Sequence, residues 1–462
     1  MDEDQPRPPS RQDTGEEHGE VAAVDTGPSS AAADVSTEDF VPYAEDSLTD
    51  AGESGAVGRR RAKTPWLMTL FLLCLLVPSD LQFSVGPVAL QAYRIYLLLV
   101  APLLVVKYLS PRVPKAPVCD IAMLLSPFWM TVTMLSRYDA PSVIEPAGVL
   151  ALETVVAYFV ARVSFTSRAE VGAFFGLLVK IIMVLGPIGL VGAVLHRDPV
   201  DSVVRPLLGL PVINYDERLG MQRMSLMFMH PIHWGIFASA GVGTALMTRQ
   251  LLPRVIRTAC VGMGVVSCLS SGGLMAMMIQ LILYVWYRVT PGFRSRWWVL
   301  LGLMTVVYFG IEFASNRSAL KVALSYLTLS PGTAHWRLLI WEHGMNNVYM
   351  NPVFGLGFED WVRPRWMFSG SMDTFWLVMT VRHGVPYFVL FSFPTAWALY
   401  AGFRMLGQAR RPDPVVFAYV IFLLSLVLAA ATVHYWATLL CFYSLFSGMG
   451  PCCLRSAPGD KN

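Results

Sequence analysis

Three side chains stand where chemistry beside an apolar segment would need them. Arg223 comes just before an apolar run that starts near residue 225. Arg337 lies on a stretch with amphipathic helical spacing, and Asp373 precedes the apolar run that opens at Phe375. The planar guanidinium fork makes two parallel charge-assisted hydrogen bonds and stays charged at every relevant pH, so a pair of arginines suits a diphosphate. Interfacial arginines also snorkel, and loop arginines form ordinary salt bridges; the residue types leave these readings open. Asp373 is of a type that serves as a general base and equally of a type that caps helices.

Other candidates are weaker. His230 and His233 sit one turn apart in Met229-His-Pro-Ile-His-Trp234, a spacing that permits a metal. No third or fourth ligand accompanies them, so hydrogen-bonded structural roles are expected, and no metal or cofactor is. Trp341 lies one turn beyond Arg337. Arg382 and His383 follow Asp373 by roughly two to three helical turns, and His383 is the rival base. Lys180, Glu145 and Glu153 fall within or near apolar runs, where a charge costs roughly 2.5–3.5 kcal/mol on insertion scales and is a functional candidate by default. Gly186, Gly189 and Gly192 share a helical spacing that permits close packing. The seven cysteines form no Cys-x-x-Cys pair and read as packing residues.

The elements that must position these groups are membrane helices. Hydrophobic residues make up 55% of the 462 and charged residues 15%, against about 25% charged in soluble domains. Apolar stretches recur from Trp66 to Gly450, each near the roughly 20 residues that cross a bilayer as a helix. Helix is the form expected there, because lipid leaves no partner for open backbone groups. The reading is all-α: a polytopic membrane bundle of about 12 transmembrane helices with a large helical extracytoplasmic loop. Helices are expected near 66–78, 86–108, 118–136, 144–162, 172–195, 225–247, 254–270, 272–288, 297–315, 375–403, 414–432 and 434–450.

The layout divides into an acidic disordered tail (1–63), helices one to nine with an outer loop at 196–224 (64–315), a large outer segment (316–374), the last three helices (375–450) and a C-terminal tail (451–462). Residues 1–58 hold 15 of the 32 acidic residues and only two basic ones, which is a composition that does not fold alone. With that tail in the cytoplasm, the short cytoplasmic loops carry 14 basic residues and the short outer loops one, Arg137. The imbalance puts both termini inside and the segments 196–224 and 316–374 outside. In the second of these, 333–349 reads as an amphipathic helix opened by Thr333 and stopped at Asn351-Pro352. Val353-Phe-Gly-Leu-Gly-Phe358 then reads as a turn that needs glycine at 355 and 357.

Three motifs in these segments resemble the O-antigen ligase/polymerase family of bacterial envelope polysaccharide assembly. Arg218-Leu-Gly-Met-Gln-Arg-Met-Ser-Leu-Met-Phe-Met-His-Pro-Ile-His-Trp-Gly235 is similar to that family's arginine followed by a Phe-x-His/Asn-Pro entry to a helix. Arg337-Leu-Leu-Ile-Trp-Glu342, leading into Asn351-Pro-Val-Phe-Gly-Leu-Gly357, resembles its Arg-x3-Trp and Pro-Leu-x-Gly-x-Gly run. Asp373-Thr374, nine residues, then Gly384-Val-Pro-Tyr387 matches the spacing of its His-Asn…Gly-x-x-Gly, with Asp373 where the family has histidine. The resemblance covers about residues 64–450. It implies a metal-independent inverting glycosyltransferase of the bacterial inner membrane acting on a polyprenyl-diphosphate-linked oligosaccharide. In it Arg223 and Arg337 hold the diphosphate, Asp373 is the base, and His230, Trp341, Arg382 and His383 support them. The departure at Asp373 leans towards polymerisation of an exopolysaccharide or O-polysaccharide. Ligation to a lipid A-core acceptor, lipid-linked-sugar flipping and a non-catalytic scaffold remain the alternatives. Expected partners are membrane lipids and proteins of polysaccharide assembly or chain-length control, with no nucleic acid.

Overall fold

The computed structural model describes residues 62–455 apart from 86–87, 212–214, 317–318, 320–321, 323–330 and 410. The acidic tail and the last residues of the C-terminal tail lie outside the described residues. What is described is mostly helical, with two small antiparallel hairpins.

In chain order the principal elements are α1 (Trp66–Leu75), β1 (Gln82–Val85), β2 (Val88–Gln91), α2 (Ala92–Tyr108) and α3 (Pro117–Leu135). Next come α4 (Ala140–Ser164), α5 (Arg168–Val194), β3 (Glu217–Arg218) and β4 (Met221–Gln222). Then follow α6 (Pro231–Ser239), α7 (Val242–Leu246), α8 (Leu251–Ser267), α9 (Ser271–Val289) and α10 (Arg296–Ala314). The chain ends with α11 (Pro331–Met350), α12 (Phe375–Gln408), α13 (Pro414–Ala429) and α14 (Ala437–Cys453). Among the described residues α3, α4, α5, α9 and α10 are long and apolar enough to cross a membrane. Shorter apolar helices are α1, α13 and α14.

Several expectations need correction. The run at 225–247 is not one helix: the chain stays irregular to His230, and two short buried helices follow, α6 and α7. Proline at 231 starts a helix readily, so the helix begins there rather than upstream. Val88–Gln91 is strand, and α2 begins only at Ala92. α11 opens at Pro331, upstream of the expected cap Thr333. α14 starts at Ala437 and runs to Cys453, so His434 belongs to a turn and the C-terminal tail begins later than 451.

The glycine reading of α5 holds for Gly186 and Gly189, whereas Gly192 faces Arg197 and Pro199 of the turn that follows. A Cβ on Gly186 would lie 2.2 Å from the Cys260 carbonyl oxygen, and one on Gly189 2.9 Å from Ser267 Oγ. α5 and α8 therefore meet backbone to backbone. Glu153, a charge in an apolar run, is not free: Arg94 Nε and Nη2 and the Tyr93 hydroxyl all donate to its Oε1.

α12 is broken at Gly384, whose φ is 81°. The turn after α11 fills the break. Leu356 N–H donates to Val381 O at 2.7 Å, Gly357 N–H to Arg382 O at 2.9 Å, and Val385 N–H to Pro352 O at 2.8 Å. Gly355 and Gly357 have φ of 66° and 65°, as the turn reading requires. This splice fixes the turn 352–357, and with it the start of the segment 358–374, to α12.

Candidate functional site

Arg223 is held by the backbone on either side of it. The β3–β4 hairpin turns at Leu219-Gly220, both with positive φ, the conformation of a tight two-residue hairpin turn. Immediately after Arg223, Met224 N–H donates to Ser267 O at 3.0 Å, and Ser225 and Leu226 N–H donate to Asp198 Oδ2. The side chain is 6% exposed. Its Nε has no partner, and among the described residues its guanidinium makes no hydrogen bond or ion pair. Burial pushes it below its ordinary pKa, and Arg218 adds to the effect.

Arg337 arrives from α11. It too is 6% exposed; its Nη1 donates to Ser271 Oγ at 3.3 Å, and its Nε is unpartnered. One turn on, Trp341 Nε1 donates to Ala431 O at 3.0 Å, so the same helical face docks α11 to the bundle. Burial lowers this guanidinium's pKa as well; Asp373 opposes the shift and Arg218 reinforces it. Arg218, half-buried, gives one hydrogen bond to Leu269 O at 3.3 Å. Arg218 thus acts on both buried guanidiniums, while the acid felt by Arg337 is Asp373 and the acid felt by Arg223 is Asp216. A buried cation without a countercharge is costly unless an anion joins it, and the cluster is suited to binding one.

Asp373 is exposed and accepts a hydrogen bond from Ser371 Oγ at 2.9 Å. It is not the helix cap: the N-cap of α12 is Thr374, without a side-chain cap bond. Nor is it buried against Phe375 and Trp376. Phe375 turns inward onto Tyr435 and Phe391, and Trp376 Nε1 donates to Val427 O. The carboxylate instead borders a cavity of about 440 Å³ walled by Phe358, Glu359, Asp360, Trp361, Arg382, His434 and Trp436 among others.

Two supporting residues divide here. Arg382 lines the cavity, while His383, the rival base, is buried with its ring 4.9 Å from Tyr387 and is not part of the wall. His230 caps α6, its Nδ1 accepting from Ile232 N–H at 3.1 Å, and feels Arg223, Asp373 and Arg218 electrostatically. His233 corrects the expectation of a hydrogen bond: it is fully buried, neither ring nitrogen has a partner, and its ring lies 4.2 Å from that of Trp436. Among the described residues no group of three metal-ligating side chains includes these histidines.

The residues that sequence reasoning missed are His434, Trp436, Glu359 and Asp360. Phe375 N–H donates to Ala430 O and Val433 O, which ties the turn 430–436 to the start of α12 and brings His434 and Trp436 beside Asp373. The available signal is a His-Tyr-Trp cluster between two apolar runs, which falls in the first turn of the helix expected over 434–450. Neither a protein-family model nor a curated protein matches the chain.

Proposed function

We propose that this chain is a polytopic inner-membrane glycosyltransferase of the O-antigen ligase/polymerase type. It would polymerise polyprenyl-diphosphate-linked oligosaccharide on the outer face. The reading takes about twelve spans, both termini in the cytoplasm and 196–224 and 316–374 outside; hydropathy and the placement of basic residues support that layout. The observation that carries the function is the pair Arg223 and Arg337, buried without a salt bridge, the second of them within the field of Asp373, an exposed acid in the wall of a cavity.

The chemistry follows from that pair. The diphosphate rests on the guanidiniums, and an acceptor hydroxyl enters beside Asp373. The hydroxyl oxygen bonds to the anomeric carbon as the bond from that carbon to the diphosphate oxygen breaks. The electron pair leaves with the diphosphate, whose growing charge the arginines stabilise. The hydroxyl proton passes to Asp373. Attack opposite the leaving group inverts the anomeric centre. Diphosphate is a good leaving group once neutralised, so this scheme calls for no metal.

The test is purified protein in proteoliposomes with lipid-linked repeat units. Longer chains are expected. Movement of the lipid across the bilayer without lengthening would make the chain a flippase, and neither outcome would make it a scaffold. Reporter fusions at Pro199 and Ser369 should be active only with an outside-type reporter, and cytoplasmic activity at either would overturn the layout.

A further inference from the structure

The cavity beside Asp373 differs in chemistry from the arginine cluster, and we propose that it is an acceptor subsite built for a neutral, hydroxyl-rich saccharide and against an acidic one. This rests on the glycosyl-transfer reading above and names its acceptor class.

Two indoles border the cavity, Trp361 and Trp436. Trp361 is 5% exposed and fixed by its Nε1 donating to Gly370 O at 3.1 Å. Trp436 is half-buried and held in place by His233, its ring tilted at 4.2 Å, and by His434, stacked at 5.7 Å. Indole faces present rigid apolar area at little entropic cost, which suits the apolar face of a pyranose ring. The volume, about 440 Å³, falls in the range of about 300–1,000 Å³ typical of small-ligand sites.

Charge supplies the selection. Three carboxylates, Glu359, Asp360 and Asp373, stand in the wall with one guanidinium, Arg382. The arginines that pair with the first two, Arg137 with Glu359 at 3.5 Å and Arg363 with Asp360 at 2.6 Å, are not wall residues. Sugar hydroxyls can donate to these carboxylates as charge-assisted hydrogen bonds. A phosphate or uronate would meet a wall in which acids outnumber bases, and like charge at an interface is a strong means of rejection. Asp373 belongs to both halves, since it also acts on Arg337 and His230. One acid thus adjoins both the arginine that would hold the anionic donor and the cavity that would hold the neutral acceptor. An acceptor of this kind is the end of a growing neutral glycan rather than a phosphorylated lipid core.

The experiment is calorimetric titration of the full-length protein in nanodiscs with a neutral hexose oligosaccharide and with the same oligosaccharide oxidised to carry one uronic acid. The neutral probe is expected to bind at least tenfold tighter. Trp436→Ala should weaken it about tenfold, with Trp436→Phe close to wild type. Glu359→Lys, at an exposed position, should narrow the preference by raising affinity for the uronate. Equal or tighter binding of the uronate by the wild type, or binding of neither probe, overturns the proposal. Because these readouts need no lipid-linked donor, selective binding by a protein that fails to lengthen chains would sink the glycosyl-transfer reading and leave the subsite standing.

Discussion

Arg162 and Arg223 are both buried arginines, and their surroundings differ completely. Arg162 sits at the end of α4 away from the 316–374 segment. Its Nε and Nη2 make a bidentate pair with Asp120 at 2.7 Å each, and Nη2 also donates to Pro114 O. The Tyr158 and Tyr108 hydroxyls donate to the remaining lone pairs of Asp120. Arg205 is enclosed in a similar way by Asp80 and Asp201. Arg223 and Arg337 have no such carboxylate. Arg296 is a third case: buried without an acid, it rests over the Tyr287 ring at 5.2 Å. Burial alone therefore does not mark a functional arginine. What distinguishes Arg223 and Arg337 is a buried guanidinium nitrogen with neither a salt-bridged acid nor a ring to meet it.

Four experiments can break or sharpen that contrast. The largest effect is expected at Asp373. Asp373→Asn keeps the shape and the Ser371 contact but removes the proton acceptor, so chain elongation should fall about 10²–10⁴-fold while lipid-linked donor still binds. An active variant would reduce Asp373 to a surface acid.

Next is the closed pair. Arg162→Ala leaves Asp120 charged and buried, and should cost about 3–5 kcal/mol of stability in detergent. Arg223→Ala should shift stability by less than about 1 kcal/mol, because it removes a desolvated cation that no salt bridge neutralises. Thermal unfolding of the two side by side reads the difference, and equal losses would erase the distinction.

Lysine tests the fork. Arg223→Lys and Arg337→Lys keep the charge and lose the second hydrogen bond, worth about 1.5–3 kcal/mol to a charged group. Donor affinity should drop by about 10- to 150-fold in each, with normal accumulation in the membrane. Unchanged chain length in both would make them interfacial charges.

The smallest effect concerns the splice that holds the cavity. Gly384 has φ 81°, and a Cβ there would lie 1.9 Å from Val353 O. Gly384→Ala should cost about 1–3 kcal/mol and displace the turn 352–357, lowering saccharide binding. Gly302→Ala on α10, where a Cβ meets nothing within 4 Å, is the matched control and should be neutral or slightly stabilising.

The sequence determined whatever depends on local composition and period. Hydropathy over about 20 residues placed α3, α4, α5, α9 and α10 to within a few residues, because a lipid-facing helix needs an apolar surface along its whole length. Gly355 and Gly357 were legible as turn residues, since positive φ is steeply unfavourable for most other side chains. Arg223, Arg337 and Asp373 were legible as candidates from residue type and position. Tertiary structure decided the rest. Whether an arginine is paired depends on a partner far along the chain, 42 residues away for Asp120 and Arg162, and no periodicity carries that. The break in α12 is held open by hydrogen bonds from the turn at 352–357, which local propensity does not contain. His434 and Trp436 reach Asp373 only because Phe375 N–H bonds to the carbonyls of a turn more than fifty residues later. The cavity wall is drawn from three such separate segments, and only their packing brings them to one place.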